Sequence, residues 1–155
     1  MTGALPRAVV ETRYVLFALA GLQLLVVLLF VSHRPEVAAS WMRSHPEFSA
    51  DQLDTAVRQT IVGSVAVHLA VAALHGWLAW AMARANHWFR RLTTATLLIG
   101  AVAGYLFLRN SSALIPSEVV GATAEQVLSL LLRLAALYLI WVPKEARIFF
   151  ARSSD

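Results

Sequence analysis

Five polar side chains interrupt runs that are otherwise apolar, and they are the first places to look for chemistry: Gln23, His68, His75, Tyr105 and Arg133. His68 and His75 are seven residues apart, so they share one helical face and stand ~10.5 Å apart along its axis. Two residues so placed cannot ligate one haem iron from opposite sides. No other apolar run contains histidine, and Met82 belongs to the same run. A bis-histidine haem would have to be shared between subunits; within one copy no cofactor is expected. An arginine inside a bilayer costs about 2.5–3.5 kcal/mol at the centre of a helix and less towards its edge. Arg133 can therefore snorkel to headgroups, or turn inward and donate to Tyr105 or a backbone carbonyl. Inward, it would hold His68 neutral by repulsion and could contact a ligand, lipid or partner.

Other chemistry finds little to stand on. The apolar runs hold no carboxylate, which removes the usual proton path of a transporter. There is no phosphate loop, no G-x-G-x-x-G, no H-E-x-x-H and no Ser-His-Asp arrangement. The expectation is a protein that is not an enzyme, with no catalytic residue. His33, His45, Glu47 and Asp51 cluster in one polar link, but their spacing matches no ligand pattern, so no metal site is assigned.

The elements that must position these residues follow from composition. Of 155 residues, 59% are hydrophobic and 14% charged, with no cysteine. A soluble domain carries roughly a quarter charged residues, so the chain reads as one membrane domain over 1–155. Absence of cysteine excludes disulfides, thiolate zinc sites and iron–sulfur clusters. The net charge of +4 does not point to nucleic acid, because the bases flank apolar runs rather than forming a stripe.

Four spans are expected, at about 14–31, 60–83, 92–108 and 127–142, each near the length that crosses a ~30 Å hydrocarbon core. Pro35 and Pro46 break helix in the outer loop 32–59, and Ser49 with Gln52 has capping-box spacing, so helix resumes from about residue 50. Thr123 and Gln126 have the same spacing and mark the start of the fourth helix. Thr96, Gly100 and Gly104 form a small-residue stripe containing G-x-x-x-G. Its first choice of partner is the stripe of Ala72 and Gly76 beside the histidines; a second copy of the chain is the alternative. Phe149 and Phe150 are suited to lie on the membrane surface.

The second link and the C-terminal tail carry three bases each, whereas the two opposite links hold four bases against six acids. The positive-inside rule then puts both termini in the cytoplasm. Counting inward from the span ends sets His68, Tyr105 and Arg133 at one depth, roughly 10–12 Å inside, and Gln23 with His75 at another. The fold class is an all-α, four-helix transmembrane bundle of the cell membrane.

Pro6-Arg7, Ser49-Ala-Asp-Gln-Leu53, Asn86-His-Trp88-Phe-Arg90 and Trp141-Val-Pro143-Lys-Glu-Ala-Arg147-Ile-Phe149 carry one likeness. With this layout, the chain resembles small four-span membrane proteins of high-GC actinobacteria. The resemblance implies a multi-pass cell-membrane protein and transfers no active residue. Lack of catalytic groups beside ample packing surface suggests an accessory subunit. Its partner would be the lipid bilayer together with a larger membrane complex, for envelope-lipid transport or respiration, or a homo-oligomer. The alternative is a small transporter or lipid-binding protein with a polar pocket at His68, Tyr105 and Arg133.

Overall fold

The structure is a computed structural model that describes residues 5–84, 87–110 and 116–151, and these are predominantly helical, with no strand among them. Helix α1 runs Arg7–Ser32, α2 Arg34–Ser44, α3 Ala50–Ala81, α4 His87–Asn110, α5 Pro116–Trp141 and α6 Lys144–Ala151; a short 3₁₀ turn, Met82–Arg84, follows α3. In hydrocarbon each backbone N–H and C=O needs a partner within the protein, and helices supply it internally. Three helical stretches among the described residues are long and apolar enough to cross a membrane: Arg7–Ser32, Ala50–Arg84 and Ala124–Trp141.

Local signals explain several boundaries. Pro6 precedes α1 and offers its carbonyl to Val9 and Val10 at 3.0 and 3.1 Å. The capping box at the start of α3 forms in both directions. Ser49 N–H donates to Gln52 Oε1 at 2.9 Å, and Gln52 N–H donates to Ser49 Oγ at 3.3 Å. Pro35, expected to break helix, lies in the first turn of α2, where its missing N–H has no intrahelical partner to lose. Glu36 in that first turn and Arg43 in the last complement the helix dipole. Helix α5 begins at Pro116, seven residues before Thr123, so Thr123 and Gln126 sit inside the helix rather than at its start. Pro143 ends α5 as expected, after which α6 starts a new turn with Arg147 N–H donating to Pro143 O at 3.2 Å.

Contacts divide the chain into two compact units: up to Ala20 together with Leu74 onward, and Gly21–Ala73. In the first, a core of Val9, Leu16, Leu19, Leu78, Met82, Leu97, Ile140 and Phe150 is fully buried. Phe150 is 1% exposed, which corrects its expected place on the membrane surface. The short helix α6 has Ala146 and Phe150 on one side, four residues apart, and turns that side to the core. In the second unit α2 is held to α3 by Trp41 Nε1, which donates to Thr60 Oγ1 at 3.0 Å. An exposed Arg34–Asp54 pair at 2.6 Å adds to that contact. Such a pair contributes about 0–1 kcal/mol.

Many large apolar side chains point outward, among them Leu28, Ile99, Val102 and Leu131. Continuous apolar faces of this kind are adverse in water and neutral in lipid. Burial inside the bundle therefore gains packing rather than dehydration. Leu97 is 0% exposed and Ile99 is 71% exposed. Leu97→Ala should lower unfolding stability in detergent by about 2–5 kcal/mol, the range for emptying a packed leucine site. Ile99→Ala should stay within about 0.5 kcal/mol of the parent in the same denaturation measurement.

Candidate functional site

Helices α4 and α5 pack against each other within the first unit, and Arg133 lies at their contact. The residue is 7% exposed, and its Nη1 donates to the Gly100 carbonyl at 2.9 Å. A Cβ built on Gly100 would stand 2.7 Å from Arg133 Nε and 2.9 Å from Cζ. The guanidinium thus occupies the space that any side chain at position 100 would need. At Gly104 the same construction meets Gln126 Oε1 at 3.0 Å and Arg133 Nη1 at 3.6 Å. A side chain at position 100 would have to displace the head of an arginine, not a backbone. A helical carbonyl keeps a second lone pair beyond its i+4 bond, and Gly100 uses it for the cation.

Here Arg133 turns inward onto a backbone carbonyl, while Tyr105 is 59% exposed on the outside of α4. This geometry also revises the partner of the glycine stripe. A Cβ on Gly76 would meet nothing within 4 Å, so that glycine marks no close helix approach. Gly100 and Gly104 face α5 instead, while Thr96 is half-buried and Ala72 is 7% exposed. Arg133 Nε and Ser129 Oγ, one turn apart on α5, are buried and make no hydrogen bond among the described residues.

Depth counting pairs Gln23 with His75, but the structure pairs Gln23 with His68. In the second unit His68 Nδ1 and Gln23 Oε1 are 2.7 Å apart, and the His68 ring lies 6.0 Å from Phe30. With an amide oxygen as acceptor, Nδ1 is the donor. The counting failed because α1 starts at Arg7 and not near Tyr14. That moves Gln23 more than four turns into its helix, opposite the middle of α3. His75 is 2% exposed in the first unit. Each candidate therefore has surroundings of its own, and the expected layer of His68, Tyr105 and Arg133 is not needed to satisfy any of them.

The sequence reading missed a cluster where helix ends meet in the first unit. Arg13 Nε donates to the Ala79 carbonyl at 2.9 Å, capping the last turn of α3 with a cation. Glu145 Oε1 accepts from Ala8 N–H at 3.0 Å, capping the first turn of α1 with an anion. The Arg90 guanidinium lies 3.7 Å from the centre of the Trp141 ring and 5.6 Å from that of Phe150. Trp141 Nε1 in turn donates to Thr94 Oγ1 at 2.9 Å. Burial against these rings presses the Arg90 pKa down, and the charge of Arg147 adds to the effect. Arg84 stacks on Trp80 at 3.8 Å. These bases read in the sequence only as topology marks; an arginine followed by aromatic residues a helix away gives no local signal.

In the second unit the rings of Trp41, His45 and Phe48 cluster, His45 lying 5.1 Å from Trp41 and 4.7 Å from Phe48, and His33 Nδ1 lies 2.9 Å from the Leu29 carbonyl. An open groove of about 480 Å³ runs along Trp41, Phe48, Asp51, Gln52 and Thr55. Among the described residues no three His, Cys, Asp or Glu side chains converge as a metal site. Comparisons with protein-family models, with curated proteins and with solved structures match nothing to this chain.

The seat of Arg133 gives a direct test. Gly100→Ala should destabilise the protein by about 1–3 kcal/mol through overpacking. Gly76→Ala, with open space around it, should be neutral or stabilising by up to about 1 kcal/mol. Thermal melts of the parent, both single variants and Gly100→Ala in an Arg133→Leu background check this. The Gly100→Ala loss should shrink when Nε and Cζ are gone; equal losses in both backgrounds would show that the two residues do not interact.

Proposed function

We propose that the chain is a non-catalytic accessory subunit of a larger assembly in the cell membrane, of the envelope-lipid transport or respiratory kind. In this reading it crosses the bilayer four times, α4 with its apolar stretch 92–108 being the additional span, and both termini are cytoplasmic. The likeness to small actinobacterial membrane proteins belongs to the same proposal. The observation that carries it is how the intramembrane polar groups are used. Gln23, His68 and Arg133 each bond within the protein. The outward faces meanwhile offer mostly apolar side chains, such as Leu98, Ile99, Leu131 and Leu134, to whatever lies beside them. A surface of this composition fits lipid or another membrane protein, and it brings no reacting group to either.

A second reading, a small transporter or lipid-binding protein working through Arg133, draws on the two buried polar atoms of α5 that make no hydrogen bond, Arg133 Nε and Ser129 Oγ. One preparation separates the two. Solubilised in mild detergent, the protein should bring a second chain with it in fixed ratio. A monodisperse preparation of one chain type carrying bound lipid at Arg133 would reject the accessory role. Orientation has its own check, made easy by the absence of native cysteine. In intact cells an impermeant thiol reagent should label Ser44→Cys and spare Arg91→Cys; the reverse pattern would invert the topology.

A further inference from the structure

The end of the first unit where the helix termini meet is strongly and unevenly charged. Among its described residues it gathers Arg7, Arg13, Arg84, Arg90, Arg91, Lys144 and Arg147 against two acids. Both acids are committed: Glu11 to Arg7 at 2.6 Å and Glu145 to the Ala8 N–H. That these termini lie together is shown by contacts between distant parts of the chain, Ala8 with Glu145, Arg13 with Ala79, and Arg90 with both Trp141 and Phe150. Within the group Arg90 is fixed in place. Two rings hold its guanidinium, and its Nε and Nη2 are buried without a hydrogen bond among the described residues. Arg147 is exposed, three residues before Phe150 on α6 and so on the side of that helix that Arg90 overlies. The charge of Arg147 bears on Arg90. Trp141 beside them is a residue type that settles at headgroup level.

We propose that Arg90 and Arg147 form a seat for the phosphate of an anionic membrane lipid, with Trp141 against the glycerol region. The exposed Arg147 presents a forked donor pair that matches phosphate oxygens, Arg90 adds its fixed charge from beneath, and an anion there removes the repulsion that packing α6 onto α4 creates. The source is a lipid rather than a free anion because the seat lies where apolar spans end and the acyl chains would run along exposed Leu131, Leu134 and Tyr138 of α5. The seat does not depend on a partner chain, so it stands or falls separately from the accessory role.

The test uses the full chain in neutral detergent, titrated with phosphatidylglycerol, phosphatidylcholine or inorganic phosphate while thermal unfolding is followed. Phosphatidylglycerol should raise the melting temperature, and the other two should not. Arg147→Gln should weaken the apparent phosphatidylglycerol affinity about five-fold, the worth of one base at an anionic surface, while melting normally in phosphatidylcholine. Arg43→Gln, which removes one charge from the second unit, should leave that affinity unchanged. Equal losses in the two variants would reduce the effect to net charge and overturn the seat. A rise produced by inorganic phosphate alone would overturn the lipid assignment. If Arg147→Gln proves unstable, Arg147→Lys serves: it keeps the charge, loses the fork, and should weaken binding by less than Arg147→Gln does.

Discussion

A cation placed in hydrocarbon has to be received by the protein, and in the first unit this requirement organises the α4–α5 contact. Arg133 is received by the Gly100 carbonyl and lies flat where no side chain stands. The insertion cost of an arginine is a few kcal/mol, and a charge-assisted hydrogen bond recovers about 1.5–3 kcal/mol of it. Close packing of the guanidinium on glycine adds dispersion contacts that lipid would not match. Glycine at 100 thus belongs to the arginine, and at 104 to Gln126.

Lipid as solvent explains the rest of the packing. Leu16, Leu19, Leu78 and Leu97 are buried to the same extent as in a soluble core. Their outward counterparts are leucines and valines as well, so the distinction between inside and outside is one of fit and not of polarity. Polarity returns at the helix ends. There the cation of Arg13 meets a helix C-terminus and the anion of Glu145 meets a helix N-terminus, each placed as the dipole favours. Aromatic rings receive the remaining guanidinium groups, Arg84 on Trp80 and Arg90 on Trp141.

What could be read in advance depended on how local the signal was. Ser49 and Gln52 are three residues apart and wrote the start of α3 plainly, as apolar length wrote the spans of α1 and α3. Proline was ambiguous: the same residue that breaks a helix can open one, and at Pro35 and Pro116 it opens. Thr123 and Gln126 show the converse, a capping pattern passed over because the helix had already begun. The polar layers were legible as a set of residues but not as pairs. Pairing depends on where each helix enters, and seven extra residues at the start of α1 change Gln23's partner from His75 to His68. The glycine stripe carried the right message, close approach, addressed to the wrong recipient. Phe150 misled for want of context, since eight residues of α6 do not say which way their aromatic side faces.

The bond from the Ala8 amide to Glu145 joins positions 137 apart. Helix α1 is made before α6, and one of its leading amides must wait on water or headgroups until Glu145 has been added. Only then can the bond close, and with it Phe150 and Ala146 complete the core around α1, α3 and α4. Closure at this end therefore waits for α6, which follows every other contributor to that core along the chain.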